Sequence, residues 1–451
     1  MTAPPDQVDA VGIGVGPSNL STAALLDPIR GFRCEFFDRK PEFQWHGGLL
    51  FEDATLQVSF IKDLVTLVDP TSRFSFLAFL AAHGRLYRFV SAQFASVLRQ
   101  EFDQYYRWVA DQLDTLHFRS EIRSVSAGPR GFLVELDDRK LVTRRLILGT
   151  GLSPRLPACA MPHIGPTVFH AIEYLHRHGD VTDKSVAIVG GGQTGAEIML
   201  RMLSGQDGRP REVTWYSRRM NFLPLDDSAF QNELFTPGYS EYFRQLPEAH
   251  RRRMIDEQTL TSDGVSSRLL QDIYQQIYAH QHVRTGQPTR YSLRPGRRLR
   301  DLRAHGAGWN LAFETEQFAM REQAQADVVI LATGQHYQLP SCLEPLRTRI
   351  PSESYGLELG ADFSLVWDAP PGLEIYVHNG GRLSRGIADP NLSLGAYRSA
   401  RIIHALVGRE IYKLADTNLI DWPPLRREAR SDTRGSRPDL EARDLSTAGV
   451  K

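Results

Sequence analysis

Residues 185–203 read SVAIVGGGQTGAEIMLRML. The opening five residues are apolar enough for a buried strand. Gly190, Gly192 and Gly195 then follow in the G-x-G-x-x-G spacing, and the remainder has a helical pattern. Strand, glycine turn and helix in this order open a nucleotide-binding α/β unit. Glycine lets the backbone turn tightly and approach a pyrophosphate, which rests on free N–H groups at the helix start. One such match is weak evidence, but the pattern occurs twice. Residues 8–26 read VDAVGIGVGPSNLSTAALL, with Gly12, Gly14 and Gly16, and with Pro17 where the third glycine usually stands. Proline is tolerated there because the first helical residue needs no N–H.

The residue ending the next strand discriminates between coenzymes. FRCEFFD (32–38) ends in Asp38, 26 residues after Gly12, where a carboxylate would accept ribose hydroxyls. EVTWYSRR (212–219) ends in Ser217, Arg218 and Arg219, and a basic pair favours the extra phosphate of NADP. A plain glycine turn beside a surface Asp would look the same in isolation. Two motifs, one acidic and one basic at this position, point to a flavoprotein that takes hydride from NADPH. Gln193 lies inside the second motif. RRLILGTG (144–151) and ADVVILATGQ (326–335) are buried strands ending in glycine, such as carry the chain between domains in many two-dinucleotide flavoproteins.

The expected fold is therefore α/β, with two Rossmann-like dinucleotide-binding domains, the second inserted in the first. An FAD domain spans 1–163 and 326–415, with LEIYVHNGG (373–381) and LSLGAYRSARIIHALVG (392–408) closing its core. An NADPH domain spans 164–325 and contains a polar, helical substrate segment at about 226–290. Residues 424–451 lack apolar periodicity and read as a disordered tail.

Composition narrows the classes. The 451 residues carry 53 Lys plus Arg against 53 Asp plus Glu, so no net charge attracts nucleic acid or an anionic membrane. Cys34, Cys159 and Cys342 are far apart, which argues against a disulfide framework, a zinc cluster and the Cys pair of a disulfide reductase. No metal site is expected. The first residues, MTAPPDQ, lack a signal pattern, and no apolar run approaches the roughly 18 residues of a membrane span. The reading is a cytoplasmic protein.

LQVSFIKDLVTLVDPTS (56–72) is mostly apolar yet carries Lys62 and Asp63 side by side. In an extended segment neighbours face opposite ways, so the two would not pair with each other. A buried ammonium still needs a counter-charge.

GIGVGPSNLS, FQWHGGLLFEDATLQVSFIKDLVTLVDPTSRFSFLAFL, VGGGQTGAEI, DDSAFQNELFTP, LATGQ and NLSLGAYRSARII together resemble the microbial amine N-hydroxylating flavin monooxygenases of siderophore biosynthesis, the lysine and ornithine N-monooxygenases and their diamine-using relatives. The likeness runs from about residue 8 to about 415. It implies that NADPH reduces FAD, and that O2 reacts through a flavin hydroperoxide to hydroxylate a primary amine. DEQTLTSDGVS (256–266) is more similar to the lysine-using members than to the ornithine enzymes. L-lysine is thus the expected substrate, with a diamine such as cadaverine or putrescine, another primary amine, or L-ornithine as alternatives.

The resemblance also implies roles for residues. Lys62 would bind the substrate carboxylate, and Gln57 would lie near flavin and substrate. Asn232 and Ser393 would contact the substrate. Ser262 stands where ornithine enzymes have a carboxylate-holding asparagine, a departure that puts this contact in question. Trp45 and His46 would flank the flavin, and Gly334 and Leu394 would join the FAD site. Gln335 and Leu49 replace a common Tyr and Met. A homo-oligomer, often a tetramer, is implied as well.

Overall fold

The computed structural model describes residues 5–94, 96–285, 289–315, 320–351, 356–414 and 418–423; the tail expected at 424–451 lies outside the described residues. Two five-stranded parallel sheets form its frame. The first has the order Glu374–Val377, Arg145–Leu148, Ala10–Ile13, Cys34–Phe37, Leu116–His117. The second has the order Val168–His170, Val328–Leu331, Ser185–Val189, Glu212–Tyr216, Arg290–Arg294. Ala10–Ile13 in the first and Val328–Leu331 in the second are buried along their whole length, as parallel strands covered on both faces must be. Helix Pro17–Leu26 packs against Gly395–Val407 over the first sheet, and helix Gln193–Ser204 packs against Ser267–His282 beside the second.

One expected boundary moves. Residues from 326 onward were assigned to the first domain, but Val328–Leu331 lies in the second sheet, with Ala187 opposite Val329. The crossing comes after it. Gln335–Tyr337 pairs antiparallel with Leu152–Pro154, so the outgoing and returning connections form one two-stranded ribbon. The physical reason is burial. A four-residue strand with every residue buried needs two neighbours, and the second sheet supplies Val168–His170 and Ser185–Val189.

Two smaller antiparallel sheets were not foreseen: Arg297–His305 with Gly308–Thr315 and Met320–Ala326, and Ser124–Gly128 with Gly131–Glu135 and Lys140–Thr143, the last pairing parallel with Asp6–Gln7. The three-stranded one carries many charges and turns only alternate residues inward. Its Phe313 stacks on Tyr216 at 4.0 Å between ring centroids. The polar helices expected at 226–290 are present, from Pro237–Gln245 to Ser267–His282. No helix among the described residues is long and apolar enough to cross a membrane.

The 56–72 block is a chain of turns, not an extended strand. Asp63, 5% exposed, is its anchor. It accepts from Val65 N (3.0 Å), Thr66 N (2.7 Å), Thr66 Oγ1 (2.7 Å) and Phe76 N (2.7 Å). Asp63 is therefore committed to folding the loop and to the start of helix Phe76–Ala82. Asp63→Ala orphans several buried donors. It should lower the unfolding free energy by about 2–4 kcal/mol in denaturant titrations.

Candidate active site

The first glycine turn leaves the carboxyl end of Ala10–Ile13. Gly14 has φ +83°, and a Cβ there would sit 2.9 Å from Gly149 O of the neighbouring strand's end. Gly16 is the N-cap of the following helix, no side chain caps it, and Pro17 is its first residue. Asp38 is almost buried. Its carboxylate accepts from Val15 N (2.7 Å) and Lys40 N (2.8 Å), so it fastens the glycine turn to the next strand. A ribose hydroxyl would share those oxygens. Leu394 is buried at the start of Gly395–Val407.

Trp45 is buried edge-on to Tyr106, 5.2 Å between centroids. His46 takes the left-handed conformation, φ +48°, and keeps an exposed face. Although the ring keeps that exposed face, the protein packed against its other side desolvates it and, with Arg99 and Lys40 nearby, pulls its pKa down to about 4. Gly48 meets the other half of the molecule, since a Cβ would lie 2.1 Å from Ile172 O. Leu49 packs beside it in a core shared with Phe51 and Tyr174.

The second glycine turn is tighter. Gly190 has φ +137°, and a Cβ there would fall 1.9 Å from Ala332 O. Trp215 Nε1 donates to Gly190 O (2.7 Å). Gly192 caps the helix without side-chain help. Ser217 is buried and turned inward, accepting from Arg219 N (3.1 Å). Arg219 donates to Asp263 O (3.0 Å). Arg218 is exposed, and its side chain forms no hydrogen bond or ion pair among the described residues. The Gln193 side-chain amide is held within the protein. It accepts from Ser266 N (2.9 Å) and donates to Glu197 Oε1 (2.9 Å), tying the helix to the 259–266 segment. Gly334, assigned to FAD, follows the strand that abuts this second turn. Its carbonyl accepts from Arg155 N (2.9 Å) and His170 Nε2 (3.0 Å) at the crossing ribbon.

Lys62 is half-buried, and its ammonium meets no acceptor among the described residues; burial pulls its pKa down. Gln57, in the same block, is exposed. Asn232 is exposed next to Gln231, which accepts from Thr261 Oγ1 (3.3 Å), so the 228–235 and 259–264 segments, and with them Asn232 and Ser262, come together. Ser393 is 5% exposed, with its hydroxyl sealed from solvent and unpartnered, so a substrate would reach it only after a local shift. Arg382 was missed. Its guanidinium lies 3.4 Å from Ser262 Oγ and 3.5 Å from Asp263 Oδ2, joining the 259–264 segment to the first domain. Its only sequence signal is its place after a Gly-Gly pair at a strand's carboxyl end.

Two glycine turns, one with an acid and one with an unpaired arginine beyond the next strand, sit on one chain with a lysine-bearing loop. The family model for L-lysine 6-monooxygenase/L-ornithine 5-monooxygenase matches residues 6–337. The chain belongs to this family. It is 39% identical to the L-lysine N6-monooxygenase of Escherichia coli over 92% of this chain and 98% of that protein. Among solved structures, it resembles the FAD-bound cadaverine monooxygenase of desferrioxamine biosynthesis from Erwinia amylovora (TM-score 0.86, 30% identity, 93% of this chain and 99% of that one). It also resembles the ornithine N-hydroxylase of Kutzneria sp. 744, solved with reduced FAD, NADP+ and L-ornithine (TM-score 0.81, 26% identity, 89% and 99%). Family membership makes the protein a flavin-dependent monooxygenase, and its relatives act on several different amines.

With its pKa lowered, His46 is neutral across the neutral range. Its imidazole NMR shifts should stay flat between pH 5.5 and 8. A titration midpoint near the ordinary histidine value would show that the exposed face leaves the ring solvated.

Proposed function

We propose that the protein is an FAD- and NADPH-dependent N-hydroxylase acting with O2 on the terminal amine of L-lysine, in hydroxamate siderophore biosynthesis. The carrying observation is the division of labour at Lys62–Asp63. Asp63 spends its carboxylate on backbone N–H groups and Thr66, while the half-buried Lys62 ammonium makes no ion pair among the described residues. An anionic substrate group completes such a site; a dicationic diamine does not.

The residues fit both coenzymes. Gly14 and Gly16 present an uncapped helix start at the carboxyl end of the first sheet, a donor set suited to the pyrophosphate of FAD. Gly190 and Gly192 do the same in the second sheet, and Arg218 is free for the 2′-phosphate of NADPH. Bound FAD, reduced by NADPH, supplies the oxygen activation. The chain's own part is binding and exclusion. Lys62 holds the carboxylate end, with Asn232 and Ser262 on the inserted segments as further polar contacts. The amine must be neutral to react, yet an alkyl amine in water is neutral in roughly one part per thousand at pH 7. A water-poor setting lowers that cost by penalising the ammonium.

Lys62→Met should raise KM for L-lysine about 10- to 100-fold, the loss of a charge-assisted contact, and leave KM for cadaverine unchanged or lower. Equal effects on both amines would show that Lys62 does not read the carboxylate. Arg218→Ala should raise KM for NADPH at least about tenfold while leaving that for NADH within about twofold.

A further inference from the structure

The first domain contains a buried charge network that the functional reading leaves unused. Arg398, 1% exposed, sits on the helix Gly395–Val407. Its counter-charge is Asp389, 3.3 Å away and equally buried. Asp389 in turn accepts from Gly381 N (2.8 Å). The remaining guanidinium donors point at the residues following the strand Glu374–Val377: Nε donates to His378 Nδ1 (2.9 Å) and Nη2 to Asn379 Oδ1 (2.8 Å).

An arginine can only donate, and this fixes the direction of everything downstream. His378 must present Nδ1 as an acceptor, so its proton is on Nε2, facing Thr22 Oγ1 at 3.0 Å. Burial and Arg398 keep this ring neutral by holding its pKa well below the usual value. Thr22 then donates onward to Ser399 Oγ (3.0 Å) or Ser18 O (3.2 Å). Asn379 must present its oxygen to Arg398, so its Nδ2 donates to Ser18 Oγ (3.2 Å). Ser18 is the second residue of helix Pro17–Leu26, in the first turn directly after the glycine loop. Because its oxygen accepts from Asn379, its own proton points elsewhere, and the hydroxyl makes no onward hydrogen bond among the described residues. Ser18 keeps a small exposed face, 9%. Asn379 holds the left-handed conformation, φ +61°, a strained position for a residue with a side chain.

We infer that Arg398 is a positioning residue that sets the hydrogen-bond direction through Asn379, so that Ser18 donates its hydroxyl proton to the pyrophosphate of bound FAD. This rests on the FAD reading of the first glycine turn. Backbone N–H groups at a helix start are a generic anion site. The Arg398–Asn379 relay adds a side-chain donor whose polarity cannot reverse while Arg398 is in place. Without it, Ser18 could turn its proton to Asn379 and present lone pairs to a phosphate.

The test measures FAD affinity of the full-length protein by flavin fluorescence, alongside the melting temperature of each FAD-free variant. Ser18→Ala should weaken FAD binding about tenfold with an unchanged melting temperature. Asn379→Gly still accepts the left-handed backbone and removes the donor that orients Ser18, but leaves the Ser18 proton free; it should weaken FAD by less than Ser18→Ala does. The double variant should be no weaker than Ser18→Ala alone, because both act on one contact. Arg398→Lys should weaken FAD as well, and this loss should vanish in the Ser18→Ala background. If Ser18→Ala leaves FAD affinity within about twofold, or if the Ser18 and Asn379 losses simply add, the inference is overturned. Wild-type protein that binds no FAD would instead overturn the cofactor reading, and this inference with it.

Discussion

Close backbone approach at glycine is the constraint on which the rest of the structure depends. A Cβ on Gly190 would fall 1.9 Å from Ala332 O, and one on Gly14 would fall 2.9 Å from Gly149 O. Each glycine turn is thus pressed against the end of the adjacent parallel strand, LATG in one sheet and LGTG in the other. The same two strand ends lead into the ribbon Leu152–Pro154 and Gln335–Tyr337, which carries the chain between the sheets. The geometry of the dinucleotide turns and the connection of the two domains are therefore one piece of architecture. Gly48, 2.1 Å by the same measure from Ile172 O, adds a close approach that joins the two halves. Arg99 supplies a polar one, forking onto Glu197 of the second glycine helix at 2.6 and 3.0 Å.

On this frame the polar side chains divide into those that hold the fold and those left available. Asp38 and Gln193 both stand in coenzyme motifs, yet each is occupied within the protein, one fastening a turn and the other tying down the 259–266 segment. Asp63 is occupied in the same way. Lys62, beside Asp63, and Arg218, beside the inward-turned Ser217, lack partners among the described residues. A cation with no internal partner at the rim of a motif is what a carboxylate or phosphate ligand requires. In adjacent residues, the one that folds the loop and the one proposed to bind the ligand can be told apart by their hydrogen bonds alone.

Much of this was legible in the sequence. Both parallel sheets announce themselves because their core strands are short apolar runs ending in glycine, a pattern that few other structures share. The ownership of Val328–Leu331 was not legible, since an apolar strand says that it is buried but not in which of two similar sheets. The three-stranded sheet at 297–326 was hidden by its charges; only alternate residues such as Leu311 and Phe313 turn inward. The turn structure of 56–72 was masked by its apolar composition. The Arg398 network, which joins residues as far apart as Ser18 and Ser399, carries no local signal. Arg382 escaped for the same reason, its partners Ser262 and Asp263 lying on the inserted segment.

The central claim is that Lys62 reads an amino acid's carboxylate while the far amine is hydroxylated. The most direct measurement is kcat/KM for hydroxylamine formation by the wild-type protein with FAD, NADPH and air, comparing L-lysine, L-ornithine, cadaverine and putrescine. The account predicts the highest value for L-lysine, with NADPH oxidation closely matched by product. A diamine ranking above L-lysine, or NADPH consumption that yields only peroxide with all four amines, would contradict it.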